Sequence, residues 1–206
     1  MRHDELPDLW LLERERIAQG IAPVAGVDEA GRGPLAGPVC AAAVILPPEL
    51  EIPGLNDSKK LSDKRRRALY DIIVSEAVTY GIAMADAQEI DTVNILQATF
   101  NAMERAMWKL TEAPALVLVD GNRTRPFPYP AEAVVKGDGR SANIAAASIL
   151  AKVTRDRLME ELAETYPQYG FEIHKGYGTR AHYDALRAHG PCPIHRRTFL
   201  RKFYGE

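Results

Sequence analysis

Three stretches of this chain end in carboxylates placed where they could act together. Asp28 and Glu29 close an apolar run that begins at Val24, and the turn-forming Gly31-Arg32-Gly33-Pro34 follows at once. Asp120 repeats that placement after Ala115-Leu116-Val117-Leu118-Val119, and Asp138 follows the short apolar pair Val134-Val135 in Lys136-Gly137-Asp138-Gly139. Short apolar runs bounded by turn residues read as buried strands, and an open α/β sheet presents its ligands at strand ends. Four carboxylates gathered there would repel one another unless cations lay between them. An all-oxygen ligand set suits magnesium or manganese rather than zinc. Taken singly, each acid is more often a turn cap or a surface charge; the repeated position after apolar strands argues for a shared site. Spacing alone leaves two chemistries open, metal-assisted phosphoryl transfer and a cation that only stabilises the fold.

The elements that must position these acids are legible from periodicity. A short helix at 9–19 closes at Gly20, and strands at 24–28 and 39–46 flank the glycine-rich turn. A helix at 62–76, capped by Ser62, brings Leu69, Ile72, Ile73 and Ala77 to one face, and a third strand follows at 79–85. A second helix is expected at 92–110, where Ile95, Leu96, Thr99, Met103, Ala106, Met107 and Leu110 keep helical spacing up to the exit at Pro114. Beyond the strand at 115–119 and a short one around 134–135, a long helix spans 142–162. Its first half is apolar nearly all round and therefore deeply buried. Strands alternating with helices favour an α/β core.

At 206 residues and 46% hydrophobic content, the chain is sized for one domain with a substantial core. Its net charge of -2 gives no global basic excess. Two local runs, one of Lys59, Lys60, Lys64, Arg65, Arg66 and Arg67 and one of His195, Arg196, Arg197, Arg201 and Lys202, are either solvated faces or phosphate-facing patches. Lys152 and Arg155 share a helix face and either approach phosphate or pair with Asp156 or Glu160. The scattered His174, His182, His189 and His195 read as packing or surface residues before general acids. Cys40 and Cys192 lie far apart, outside any zinc-type spacing, and no apolar run has the length of a signal core or membrane span. A reduced, cytoplasmic protein with no membrane partner is expected.

The string Val27-Asp28-Glu29-Ala30-Gly31-Arg32-Gly33-Pro34-Leu35-Ala36-Gly37-Pro38-Val39 resembles the opening motif of the ribonucleases HII, and Asp57-Ser58-Lys59-Lys60-Leu61-Ser62 resembles their second. The likeness continues in order through Val119-Asp120-Gly121, Lys136-Gly137-Asp138, Ile144 to Asp156, and His174-Lys175-Gly176-Tyr177-Gly178-Thr179. It ends at His195-Arg196-Arg197-Thr198-Phe199 and covers about residues 24 to 200. It implies a ribonuclease H-like α/β fold, a mixed five-stranded sheet flanked by helices with a helical C-terminal region. One catalytic domain is then expected, with an N-terminal helical extension at 1–22, a core at 23–165 and a C-terminal region at 166–206.

The same resemblance implies that Asp28, Glu29, Asp120 and Asp138 are catalytic and bind two magnesium or manganese ions with substrate present. It makes Gly31, Arg32 and Gly33 a substrate-sensing turn, whose glycines let main-chain groups approach the nucleic acid and read a 2′-hydroxyl. Tyr177 is implied to pack on the neighbouring sugar. Lys59 and Lys60 are natural phosphate contacts. The implied activity is endonucleolytic, cutting RNA in RNA/DNA hybrids and duplex DNA on the 5′ side of embedded ribonucleotides, in ribonucleotide excision and primer removal. A monomer is expected, and no residue pattern names a sliding clamp as partner. Gly178 stands where several relatives have proline, which loosens the loop behind Tyr177. Arg32, where the sister ribonucleases HIII carry lysine, and the short N-terminus favour HII. The rivals are another two-metal nuclease of the same core and a catalytically silent hybrid-binding module; the presence of all four carboxylates argues against the second.

Overall fold

The computed structural model describes residues 8–55 and 61–205. Strand β1 (Val24–Ala30) turns through residues 31–38 into β2 (Val39–Ile45), which pairs with it antiparallel and sets Asp28 opposite Ala42. β2 pairs antiparallel with β3 (Thr79–Ala85). β1 pairs parallel with β4 (Leu116–Asp120), and β4 parallel with β5 (Ala131–Val134). The result is a mixed five-stranded sheet in the order β3-β2-β1-β4-β5. Because β1 and β4 run the same way, their acidic ends lie at the same edge of the sheet.

Strand parity divides the core. Ala25, Val27, Ala41, Ala43, Val117 and Val119 pack on one face under α4 (Ile95–Met107). Cys40, Ala42 and Val44 pack on the other, against α2 (Asp63–Glu76) and α5 (Ala142–Thr165). Burial on both faces explains why these strands read as unbroken apolar runs rather than alternating ones. The N-cap of α2 is Ser62, as its sequence position indicates, with its side chain accepting from the Arg65 amide. Among the described residues no helix is long and apolar enough to cross a membrane.

Helix α5 closes tightly on the sheet at Gly26, where a Cβ would stand 2.2 Å from the backbone of Asn143 and Ile144. Backbone cannot rotate out of the way as a side-chain tip can, so α5 must shift. Gly26→Ala is therefore expected to cost about 3 kcal/mol of stability, at the upper end of overpacking penalties. Urea denaturation measures this, and a loss below about 0.5 kcal/mol would contradict the contact.

The helix expected at 92–110 is α4, which starts at Ile95, and a separate short helix not expected from the sequence, α3 (Ala87–Val93), precedes it with the boundary at Asn94. Asn94 adopts φ +69° and its side chain accepts from the Leu96 and Gln97 amides, so a local side-chain cap outcompetes a continuous helix. The short strand near 134–135 occupies Ala131–Val134, and Val135 is exposed. Helices α6 (Phe171–His174), α7 (Arg180–His189) and α8 (Arg197–Tyr204) form the C-terminal region. Their cluster of Phe171, Leu186 and Leu200 also includes Leu35 and Ala36, which ties the β1–β2 turn to the end of the chain.

Helix α1 (Leu11–Ala18) is held by a buried acid that sequence patterning does not flag. Glu13 Oε1 accepts from the Ser141 hydroxyl at 2.5 Å and from the Asn143 amide at 3.2 Å, fastening α1 to the start of α5. Glu13 Oε2 is buried with no hydrogen-bond partner among the described residues. Burial raises the Glu13 pKa above its ordinary value of 4.5, and the hydrogen bonds only partly offset this. The folded protein thus holds this proton more tightly than the unfolded chain. The contribution is full below the unfolded pKa and is lost as pH rises through the folded one. Glu13→Gln, neutral at every pH, is expected to remove that downward slope from a plot of urea stability against pH; an unchanged slope would assign it elsewhere.

Candidate active site

The sheet brings two of the acids side by side. β1 and β4 are in register from Val24 with Leu116 to Val27 with Val119, so Asp28 and Asp120 come next on adjacent parallel strands, which run about 4.8 Å apart. Asp28 lies two residues after Gly26 and Asp120 two after Leu118, which packs with Ile144, so both share the α5 face. Asp138 joins them from a 3-10 turn, Gly137–Gly139, that leads into α5. The Gly137 amide donates to Asp120 Oδ1 at 2.7 Å, coupling the third acid's turn to the second acid. A Cβ on Gly137 would meet Ile144 at 2.5 Å and Asp120 at 3.3 Å. Glu29 starts from the opposite face and ends 3.6 Å from the half-exposed Arg32 guanidinium, and its amide donates to Asp28 Oδ1 at 2.7 Å.

Asp28 is 5% exposed. Burial, followed by repulsion from Glu29, Asp120 and Asp138, holds its carboxyl well above the usual carboxylate range. Asp28 therefore feels the charge of the other three acids. Among the described residues no three His, Cys, Asp or Glu side chains close into a preformed metal cage. The donor set is nevertheless all oxygen and carries negative charge that a hard divalent cation would neutralise, so the residues fit magnesium or manganese.

The turn after β1 is fixed from beneath by two arginines that reach it from distant parts of the chain. Arg155 of α5 donates to the carbonyls of Pro38 (2.9 Å), Lys175 (3.0 Å) and Ala36 (3.1 Å). Arg196 donates to those of Gly37 (3.0 Å), Arg32 (2.8 Å) and Gly31 (2.6 Å). Both are fully buried. Burial, with the neighbouring Arg155 charge second, pushes the Arg196 pKa down to about 9. Gly31 has φ +96°, and a Cβ there would stand 2.0 Å from Arg155 Nε; both conformation and space require glycine.

Tyr177 lies against this turn. A Cβ on Gly33 would be 3.8 Å from its ring, the Leu35 amide donates to the Gly176 carbonyl at 2.8 Å, and the ring is 5.9 Å from the Arg155 guanidinium carbon. Tyr177 itself is 44% exposed, enough to offer one side of the ring to a ligand. Below it, the His182 Nδ1 hydrogen-bonds the Tyr177 carbonyl at 2.9 Å, and His182 Nε2 lies 3.0 Å from His195 Nε2. His195 Nδ1 accepts from the Cys192 amide at 2.9 Å, so the shared hydrogen between the rings comes from neutral His195. Burial and the neighbouring His182 push the His195 pKa down to about 4, in keeping with that neutral pair.

The structure thus brings Asp28, Glu29, Asp120 and Asp138 together and sets Gly31, Arg32, Gly33 and Tyr177 beside them. Lys59 and Lys60 lie outside the described residues. Two sequence expectations need correction. His195 and Arg196 are buried and belong to no surface patch, because the turn's carbonyls and the histidine cluster supply their partners. Arg155 neither faces phosphate nor pairs with Asp156 or Glu160; Lys152 takes Asp156 at 2.8 Å. The arginine clamp was missed because its targets lie 117 to 165 positions away for five of the six bonds, beyond any local spacing rule.

Comparison with known proteins meets this geometry. The family model described as Ribonuclease HII matches residues 25–202, which contain all four acids, the turn and Tyr177. The chain belongs to the ribonuclease HII family. Ribonuclease HII 1 of Methylibium petroleiphilum is 63% identical over 175 residues, covering 85% of this chain and 88% of that one. Ribonuclease HII of Geobacter sulfurreducens is 51% identical over 206 residues, covering 99% and 95%. Among solved structures, ribonuclease H2 from Pyrococcus horikoshii OT3 superposes with a TM-score of 0.70 at 30% identity, covering 85% of this chain and 92% of that one. Membership in the ribonuclease HII family makes the protein a ribonuclease H hydrolase, an endonuclease.

Proposed function

We propose that the enzyme hydrolyses the RNA strand of RNA/DNA hybrids and nicks duplex DNA on the 5′ side of an embedded ribonucleotide, leaving 3′-hydroxyl and 5′-phosphate ends. The observation that carries this reading is the buried Asp28, charge-coupled to Glu29, Asp120 and Asp138 and followed within three residues by the glycine turn. Asp28, Glu29, Asp120 and Asp138 would hold two divalent ions, magnesium or manganese, which when bound supply an activated water and stabilise the leaving oxygen. The protein's own part is placement. The Gly137 amide fixes the Asp120 carboxylate and the Glu29 amide fixes that of Asp28, so neither needs to reorganise as charge develops. Gly31, Arg32 and Gly33 read the 2′-hydroxyl through main-chain groups, and the exposed side of Tyr177 packs on the adjoining sugar. Lys59 and Lys60 hold the phosphate backbone without reading sequence. The enzyme acts as a monomer of one catalytic domain in the cytoplasm, where its two free cysteines stay reduced.

End-group analysis tests this proposal. A labelled RNA/DNA hybrid is digested with magnesium, with manganese or with chelator. The fragments should carry 3′ ends that a polymerase extends and 5′ ends that a ligase joins, with cutting lost in chelator. Cyclic phosphate and 5′-hydroxyl ends would instead mean attack by the RNA's own 2′-hydroxyl, and would overturn hydrolysis at the carboxylates.

A further inference from the structure

We propose that Arg196 is a positioning residue for ribonucleotide selection: it aims the main-chain amides of Arg32 and Gly33 at the substrate. The inference rests on the proposed sensing role of the turn and adds the device that orients it. Arg196 Nη2 binds the Gly31 carbonyl and Nη1 the Arg32 carbonyl from the buried side of the turn. In a trans peptide the C=O and the following N–H point in opposite directions. Turning the Gly31 and Arg32 carbonyls inward therefore turns the Arg32 and Gly33 amides outward. Among the described residues neither amide donates to a protein acceptor. The next residue, Pro34, has no amide hydrogen, and the Leu35 amide is already bound to Gly176. Two adjacent free donors are thus left facing out, beside Tyr177 and directly after the acids.

The same clamp explains why arginine is needed. Three donors in one plane hold the carbonyls of residues 31, 32 and 37 at once, whereas a lysine ammonium is a compact charge that cannot match that fork. Arg155 secures the outgoing half of the loop and the Lys175 carbonyl near Tyr177, so the two halves of the proposed sugar pocket share one buried support.

The test compares wild type, Arg196→Lys and Leu200→Ala. The last is a destabilising control, buried in the same C-terminal cluster but with no donor to offer the turn's carbonyls. Affinities for an all-DNA duplex and for the same duplex with one ribonucleotide are measured under calcium, with the duplexes verified uncut. Wild type should prefer the ribonucleotide by about tenfold, the worth of one or two hydrogen bonds. Arg196→Lys should lose that preference while still binding DNA, and Leu200→Ala should keep it despite a lower melting temperature. Should the lysine variant fail to fold, hydrogen exchange of the wild type still decides. The Arg32 and Gly33 amides should be unprotected in the free protein, and should gain protection with the ribonucleotide duplex only. A retained preference in Arg196→Lys, or protection of those amides without substrate, overturns the role of Arg196 alone. A wild type that neither prefers nor selectively cuts the ribonucleotide duplex overturns the sensing reading as well.

Discussion

Asp28→Asn is expected to abolish cleavage, by at least about a thousandfold, while raising the melting temperature of the metal-free protein. The rate loss follows from removing one charge from the group that would hold the cations, an electrostatic contribution of the size seen for single transition-state stabilisers. The stability gain follows from the same neighbourhood. Asp28 is buried and repelled by Glu29, Asp120 and Asp138, and an amide of the same shape keeps its oxygen for the Glu29 amide without the charge. The pH dependence has a definite sign. With the folded pKa raised above the unfolded one, the acid's contribution is full below the unfolded pKa and is lost as pH rises through the folded value. The melting-temperature gap between the variant and wild type, measured in chelator, should therefore widen with pH. Near-normal turnover of Asp28→Asn under saturating magnesium would remove Asp28 from the site.

Tyr177→Ala is expected to slow cleavage at a single ribonucleotide by about a hundredfold, the cost of an ångström-scale misplacement of reacting groups. Overall duplex affinity should change far less, because phosphate contacts supply most of the binding and its salt dependence. The loop itself should survive. Its hydrogen bonds run through main-chain atoms, from the Tyr177 amide to His174 and from Thr179 and His182 to the Tyr177 carbonyl. Tyr177→Phe keeps the ring and should cut at close to the wild-type rate. Lys59→Ala should show the converse balance, with weaker, less salt-sensitive binding and a smaller change in the bound rate. Single-turnover rates and salt-dependent affinities separate the two patterns, and an unchanged rate for Tyr177→Ala would take the ring out of the site.

What could be read from the sequence was what local chemistry determines. Asp28 and Asp120 were legible because apolar strands end at them, and parallel pairing then makes them neighbours. The helix caps and the Gly31 turn follow from side-chain and backbone preferences within a few residues. Glu13 and Arg196 were not legible for the opposite reason. Each sits in a charged stretch that resembles solvated surface, and each is buried because partners more than 100 positions away satisfy it. The break at Asn94 lay between the two: apolar spacing runs on either side of it, and only the positive φ and the side-chain cap reveal the boundary. The second basic run shows the same limit, since nothing in composition distinguishes the buried Arg196 from the exposed Arg201 and Lys202.

The central claim is that a turn next to the four acids licenses hydrolysis by sensing one 2′-hydroxyl. The most direct measurement uses two duplexes identical in sequence, one wholly DNA and one with a single ribonucleotide, incubated with the wild-type enzyme and magnesium and resolved at single-nucleotide length. One cut, on the 5′ side of the ribonucleotide and only in the duplex that contains it, is the expected result. Equal cutting of both duplexes would contradict it.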